Sequence, residues 1–332
     1  MLRFGLCCIF KQEPIKFRRT TAKHLLSLPR KEQLGKLAAI CLDNAQALMT
    51  ALSYCRDNDI GAFRINSQIL PLKTHPQVGY EINQLPEGDT IAAAFRRCGR
   101  FSRKHNIRTT FHPDQFIVLN SPNKEVAARS LADLRYHVEV AQWVNADVIN
   151  LHGGGAYGDK QQALERLVRA ISALPKGIKK RLTLENDDRV FTPQDLLPVC
   201  EATGVALVYD VHHHRCLPDG LSVREATDLA LKTWNREPLF HISSPAVPWE
   251  SGGGRPHHDF IDPEDFPCEW LDLEATVEIE AKAKELAIGR LARDFRDHIA
   301  TCCKKKREKE NHDASDGRGT THSPAERCSD EP

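Results

Sequence analysis

Asp147-Val148-Ile149-Asn150-Leu151-His152 is a short β-branched and apolar run that ends on a histidine. Its length and its Val/Ile content suit a buried strand better than a helix. Arg181-Leu182-Thr183-Leu184-Glu185 and Val205-Ala206-Leu207-Val208-Tyr209-Asp210 repeat the form, each ending on a carboxylate. Working outward, similar runs occupy residues 2–9, 60–65, 107–112, 238–242 and 275–280. Amphipathic segments fill the gaps. Leu34, Leu37, Ala38, Cys41, Ala45, Leu48 and Leu52 share one helical face; Leu131, Leu134, Val138 and Ala141 share another, and Leu164, Leu167, Val168 and Ile171 a third. Residues 195–200, 225–234 and 281–293 supply later helices. Eight strands, each followed by a helix, predict an α/β fold of the (β/α)8 TIM-barrel type, for which a typical length of roughly 250 residues fits. A doubly wound open sheet is the competitor, but no G-x-G-x-x-G follows the first strand.

The chain has 332 residues, and no Gly/Ser linker precedes residue 250, so residues 1–303 are expected to form a single domain. From Lys304 to Pro332 there are seven basic and seven acidic residues and no aromatic, Leu, Ile, Val or Met. That segment cannot bury enough apolar surface to offset its ordering entropy, and 304–332 is expected to be a disordered charged tail. No apolar stretch reaches the roughly 18 residues of a membrane helix, and Leu2 to Phe10 is too short and wrongly flanked for a secretory signal. Lys plus Arg is 46 against 45 Asp plus Glu, a net charge of +1, so any nucleic-acid contact must come from a local patch. Eleven cysteines with no C-x-x-C suit neither a disulfide framework nor a zinc ribbon. The thiols are expected to be reduced and the compartment cytoplasmic.

In a TIM barrel the active site lies at the carboxyl ends of the strands. Read in order, those ends carry His112, His152, Glu185, Asp210 with His213 just beyond, His241 and Glu280. Such a set would repel or titrate unless cations sat among it. Mixed His/Asp/Glu without Cys suits Zn²⁺ or Mn²⁺, and more than one ligand triplet can be drawn from it. Of His212-His213-His214, His213 is expected to face Asp210 and the others to be loop surface. Glu278 shares a strand face with Glu280, so one of the two is expected to pair merely with Lys282 or Lys284.

The loop 11–31, on the same side, holds seven Lys/Arg and one acid, and Lys16, Arg18 and Arg19 are its candidate phosphate contacts. A second basic run, Arg96 to Arg108, precedes the third strand and belongs to the opposite rim, as does Lys176 to Arg181. Gly153 to Gly158 has the look of a phosphate-cradling turn, a weak signal by itself. The long loop 243–274 carries His257-His258-Asp259, either a ligand pair for a further metal or part of a lid.

As an ordered set, Phe111-His112-Pro113-Asp114-Gln115-Phe116, Leu151-His152-Gly153-Gly154, Leu184-Glu185-Asn186-Asp187, Tyr209-Asp210-Val211-His212-His213, His241-Ile242-Ser243-Ser244 and Glu280-Ala281-Lys282-Ala283-Lys284-Glu285 resembles the UV damage endonucleases. These are metal-dependent TIM-barrel DNA repair enzymes related in fold to endonuclease IV. The resemblance implies strand cleavage immediately 5′ to a cyclobutane pyrimidine dimer or 6-4 photoproduct, leaving a 3′-hydroxyl. It implies two or three metals, Mn²⁺ first, with Zn²⁺ or Mg²⁺ as alternatives. His112, His152 and Glu185 match the ligands of one; Glu185, Asp210, His241 and Glu280 match a second; His213 and His257 match a third. Glu185, His213 and His75 match catalytic positions. Gln115 and Phe116 fall where the family inserts a Gln-Tyr pair into the duplex, so Phe116 offers a wedge without a hydroxyl. Leu239 stands at the position of a modified metal-site lysine, and Leu6 and Phe10 replace polar residues.

The expected substrate is therefore damaged double-stranded DNA, with no membrane partner. The chain is expected to act as a monomer in the cytoplasm, nucleoid-associated if bacterial. Two rivals share these residues: a DNA-damage-binding protein without turnover, and a metal-dependent sugar isomerase on the same barrel.

Overall fold

The computed structural model describes residues 2–252 and 254–294. Eight parallel strands run β1 (Arg3–Cys7), β2 (Ala62–Ile65), β3 (Arg108–Phe111), β4 (Val148–His152), β5 (Leu182–Glu185), β6 (Ala206–Asp210), β7 (Leu239–Ile242) and β8 (Thr276–Ile279). They close in sequence order, β1 pairing with both β2 and β8. The TIM barrel expected from the strand count is the fold. The boundary at residue 303 and the tail 304–332 lie outside the described residues. No described helix is long and apolar enough to cross a membrane.

The outer ring comprises α1 (Ala22–Leu26), α2 (Arg30–Asp57), α3 (Gly88–Lys104), α4 (Lys124–Val144), α5 (Lys160–Ser172), α6 (Lys176–Lys179), α7 (Pro193–Thr203), α8 (Val211–Cys216) and α9 (Val223–Lys232), with residues 285–294 also helical. Helix α2 buries Leu37, Ala38, Cys41, Ala45, Leu48 and Leu52, the stripe its periodicity predicts. Helix α7 starts on a capping box in which Thr192 N–H donates to Asp195 Oδ2 (2.8 Å) and Asp195 N–H to Thr192 Oγ1 (3.3 Å). It ends at Gly204, whose φ of 71° places it in the left-handed region that closes helices.

One expectation fails. Between β7 and β8 the described residues form no α-helix, only three 3₁₀ turns at Trp249–Ser251, Pro263–Asp265 and Cys268–Trp270. The apolar cover that a helix would give comes instead from Trp270, which packs edge-on against Tyr209 and tilted over Phe240, with Phe266 edge-on behind it. The reduced-thiol expectation also needs correcting: seven described cysteines are free, but Cys268 is disulfide-bonded.

Strand alternation sends every second side chain into the barrel. Its floor is apolar, with Val148, Val208 and Leu239 in mutual contact. Beneath them Arg108 is tied to Asp147 (3.1 and 2.9 Å) and to the Pro238 carbonyl (3.0 Å). That basic run thus lies on the N-terminal rim, as its position before β3 requires. Above the floor the interior turns polar, through Arg64, Thr110, Asn150, Thr183 and Glu278, all buried. Gly5 leaves room for this layer, since a Cβ there would stand 3.0 Å from Glu278 Cγ.

Trp270 is fully buried and donates its indole N–H to Thr227 Oγ1 (2.9 Å). Trp270→Ala should therefore destabilise the fold by about 3–5 kcal/mol in urea denaturation, the usual cost of deleting a buried large aromatic. A loss under about 1 kcal/mol would mean that this loop does not seal the barrel wall.

Candidate metal centre at the barrel mouth

Strand register assembles the site. His152 pairs with Glu185 across β4–β5, Asp210 with His241 across β6–β7, and His241 with Glu278 across β7–β8. His112 and Glu280 follow directly after β3 and β8. Adjacent strands are about 4.8 Å apart, so side chains leaving the same end of the barrel meet over its axis.

Glu185 lies at the centre and is fully buried. Its Oε2 receives the Asn150 side-chain amide (2.5 Å) and lies 2.8 Å from His112 Nε2. Its Oε1 lies within ion-pair reach of His241 Nδ1 (3.1 Å) and His213 Nδ1 (3.4 Å) but accepts no aligned hydrogen bond. Asp210 Oδ2 is also buried without a partner, 3.6 Å from His213 Nδ1 and 4.0 Å from His241 Nδ1. The other Asp210 oxygen caps the short helix α8 by accepting from His213 N–H (2.8 Å). Glu280 Oε1 stands 3.4 Å from His241 Nδ1. His152 adds a third buried atom without a partner, its Nδ1, with its ring 4.9 Å from that of His112. His257 reaches in from the β7–β8 loop, with Nδ1 3.8 Å from Glu280 Oε2, whereas Asp259 is exposed.

A divalent ion fits this donor set. Potential ligand atoms lie within 4.8 Å of one another in three groups: His112, His152 and Glu185; His112, His241 and Glu280; and Glu185, Asp210 and His213. Buried oxygens without hydrogen-bond partners are costly unless something cationic meets them. Ligands are also held from behind, as metal sites require. His112 Nδ1 lies 3.2 Å from the Pro113 carbonyl, and Asn150 is itself steadied by Thr183 Oγ1 (2.9 Å).

Protonation follows from the same crowding. Burial alone would raise the Glu185 carboxyl, but His241, His152 and His112 outweigh it and hold it well below the usual carboxylate range. Burial would depress His241, yet Glu185 reverses this and pushes the imidazole up to about 10. His213 is likewise raised, burial being overcome by Asp210 and Glu185. Burial keeps His152 low.

The chain matches the model of the family described as UV-endonuclease UvdE over residues 2–308. The chain belongs to the UV-endonuclease UvdE family. It is 34% identical over 313 residues to the UV DNA damage endonuclease of Bacillus velezensis, covering 89% of this chain and 94% of that protein. Its fold matches the crystal structure of SacUVDE with a TM-score of 0.76 and 28% identity, over 88% of this chain and 99% of that one. Endonuclease IV from Thermus thermophilus matches at a TM-score of 0.57 and 15% identity, over 90% of this chain and 99% of that one, a likeness of fold alone.

Within this family member, the eight positions read as metal ligands, His112, His152, Glu185, Asp210, His213, His241, His257 and Glu280, converge. His75 does not join them. It lines a separate cleft of ≈ 540 Å³ with Lys73, Tyr80 and Arg135, and its Nδ1 accepts the Gln77 and Val78 amides. Of the basic loop, Arg19 lines the ≈ 300 Å³ cavity over the cluster, Lys16 is exposed elsewhere, and Arg18 is turned away to Asp43. Gln115 is exposed, and Phe116 is 79% exposed on the same loop as His112. The glycines after His152 serve packing: a Cβ on Gly153 would stand 2.7 Å from Phe191, and one on Gly154 2.2 Å from Asn120. Leu6 is buried in the core, Phe10 stacks on Phe63, and Leu239 belongs to the floor. None of the three stands in the groups of potential ligand atoms.

The expectation of surface histidines at 212 and 214 is wrong. Both are buried: His214 bridges Tyr209 Oη (2.7 Å) and Asp219 (2.8 Å), and His212 Nε2 meets the Arg255 carbonyl (3.2 Å) while its Nδ1 has no hydrogen-bond partner. Glu278 pairs with Arg64, Thr110 and His241, not with a lysine. Arg64, Asn150 and Lys284 escaped sequence reading. A charged or amide residue on the inward face of an apolar strand is the signal for the first two. Lys284 lines the cavity with a left-handed φ of 54° and no ion-pair partner among the described residues.

At neutral pH the metal-free His241 ring carries its proton, whereas a metal ligand must be neutral. Metal binding should thus release protons, and affinity should climb as pH rises toward about 10. The raised value also contributes stability that is complete below about 6.5, the unfolded histidine value, and that is lost as pH rises through about 10. Calorimetry of Mn²⁺ binding in buffers of different ionisation enthalpy should show this release. Binding without proton release would contradict the pattern.

Proposed function

We propose that this chain is a metal-dependent endonuclease that hydrolyses the phosphodiester immediately 5′ to UV photoproducts in double-stranded DNA, cyclobutane pyrimidine dimers and 6-4 photoproducts alike. Family membership supports the reaction class. The observation that carries the mechanism is the pair of buried oxygens without a hydrogen bond, Glu185 Oε1 and Asp210 Oδ2, in a cluster whose His112, His257 and Glu280 line an open cavity. Two or three divalent ions, Mn²⁺ first with Zn²⁺ or Mg²⁺ as alternatives, would supply an activated water and neutralise charge on the phosphate when held by His112, His152, Glu185, Asp210, His241 and Glu280, with His213 and His257 completing a third position.

Glu185 serves both sides of the cluster, since one oxygen faces His112 and the other faces His241 and His213. Asn150 keeps that carboxylate from rotating. Water adds to phosphorus in line as the bond to the 3′-oxygen breaks, leaving a 3′-hydroxyl and a 5′-phosphate. His213, beside Glu185 and Asp210, would steady that leaving oxygen, either directly or through an ion it would help to hold. Arg19 and Lys284, at the cavity wall, would hold flanking phosphates. Phe116 would enter the stack at the lesion, where unstacked DNA costs less to deform.

A duplex carrying one thymine dimer, incubated with the protein and Mn²⁺, should yield a single cut just 5′ to the dimer, abolished by EDTA and absent on undamaged duplex. Tight lesion binding without a cut under any divalent metal would favour the binding-protein reading, and loss of both would favour the isomerase. Glu185→Ala should reduce nicking by more than the roughly 100-fold expected from losing an outer partner of a ligand, with lesion binding largely kept. Near-normal turnover in that variant would sink the assignment. Phe116→Ala should weaken binding to the dimer duplex by about 1–3 kcal/mol, the usual worth of a base–aromatic stack. Unchanged affinity would remove Phe116 from the lesion contact.

A further inference from the structure

Arg64 is an arginine inside a barrel, with its side chain 8% exposed. Its Nε donates to Glu278 Oε2 (2.5 Å), and its Nη1 donates to Glu280 Oε1 (2.6 Å). Its Nη2 also meets Glu278 and lies 2.9 Å from His241 Nε2. Glu278 Oε2 in turn lies 3.0 Å from His241 Nε2, and its other oxygen accepts from Thr110 Oγ1. The guanidinium therefore forks across both carboxylates of the β8 end. One of them, Glu280, belongs to the ligand cluster. The other, Glu278, backs the ring nitrogen of His241 opposite to the one that faces Glu185.

We propose that Arg64 is a positioning residue for the hydrolysis: it fixes Glu280 directly and His241 through Glu278, so that Glu280 and His241 Nδ1 present themselves to the cavity in one geometry. This rests on the metal-dependent reading above. The fork explains why arginine rather than lysine stands on β2, because two carboxylates on one strand end need two separated, coplanar donors. It also fixes the charge. Four carboxylates, Glu185, Asp210, Glu278 and Glu280, surround the site, and Arg64 neutralises one of them permanently.

The test uses the full chain and two variants, Arg64→Gln and Arg64→Lys, with folding checked by circular dichroism. Mn²⁺ affinity is measured by calorimetry, and kcat and KM are measured on the dimer duplex at saturating Mn²⁺. Arg64→Gln should lose about 10- to 100-fold in Mn²⁺ affinity, the range for an outer partner of a ligand. Its kcat should fall while KM for the duplex stays within about twofold, because Arg64 spends its donors on the protein. Arg64→Lys, which keeps charge but not the fork, should recover only part of both. A folded Arg64→Gln with native Mn²⁺ affinity and kcat overturns the proposal. If that variant does not fold, native values in Arg64→Lys overturn it. Should the native chain bind Mn²⁺ yet cut no dimer duplex, the functional reading fails while the affinity comparison still judges Arg64.

Discussion

Four carboxylates share one end of this barrel, and three of them, Glu185, Asp210 and Glu278, are almost wholly buried. That concentration of negative charge in a poorly hydrated space is the constraint on which the rest of the structure depends. Desolvating a carboxylate disfavours its charged form, and neighbouring like charges add to the penalty. The chain answers first with Arg64 and then with imidazoles that take up protons, His241 and His213 above all. Two oxygens still have no hydrogen-bond partner. A site that can be balanced only by protons or by added cations is one that trades one for the other.

The barrel makes this concentration possible because it separates a floor from a mouth. Val148, Val208 and Leu239 close the lower interior and exclude water, and the polar layer above them does the aiming. Asn150 and Thr183 set the rotation of Glu185; Arg64, Thr110 and Glu278 set His241 and Glu280. Most of the ligands are thus held at strand ends, with His213 on α8 and His257 on a loop, while Phe116, Arg19 and Lys284 stand on loops. Rigid ligands below and exposed, adaptable contacts above suit a site that takes a bulky, deformable polymer rather than a small sugar.

Much of the centre was legible in the amino-acid order alone. Strand ends declare themselves when an apolar run stops on His, Asp or Glu, and the register that brings His152 beside Glu185 follows from the closed parallel sheet. What was not legible depended on partners remote in sequence. Arg64 reads as a stray charge until Glu278, 214 residues away, is seen across the barrel. His214 looks like surface until Tyr209 and Asp219 supply hydrogen bonds to both ring nitrogens. How the long loop 243–274 covers the barrel was not legible, because a Trp270–Phe266 pair can cover a strand with no 3.6-residue period to announce it. His75 came from resemblance alone, and its loop folds it into a different cleft.

If these side chains form one metal centre with Glu185 at its middle, bound ions must flank that carboxylate on both sides. Crystals grown with Mn²⁺ and measured at the manganese absorption edge test it most directly. Anomalous peaks on both sides of the Glu185 carboxylate, one against His112 and His152 and one against Asp210, His241 and Glu280, are the expected result. No anomalous density at Glu185, with its oxygens instead turned into protein hydrogen bonds, would contradict it.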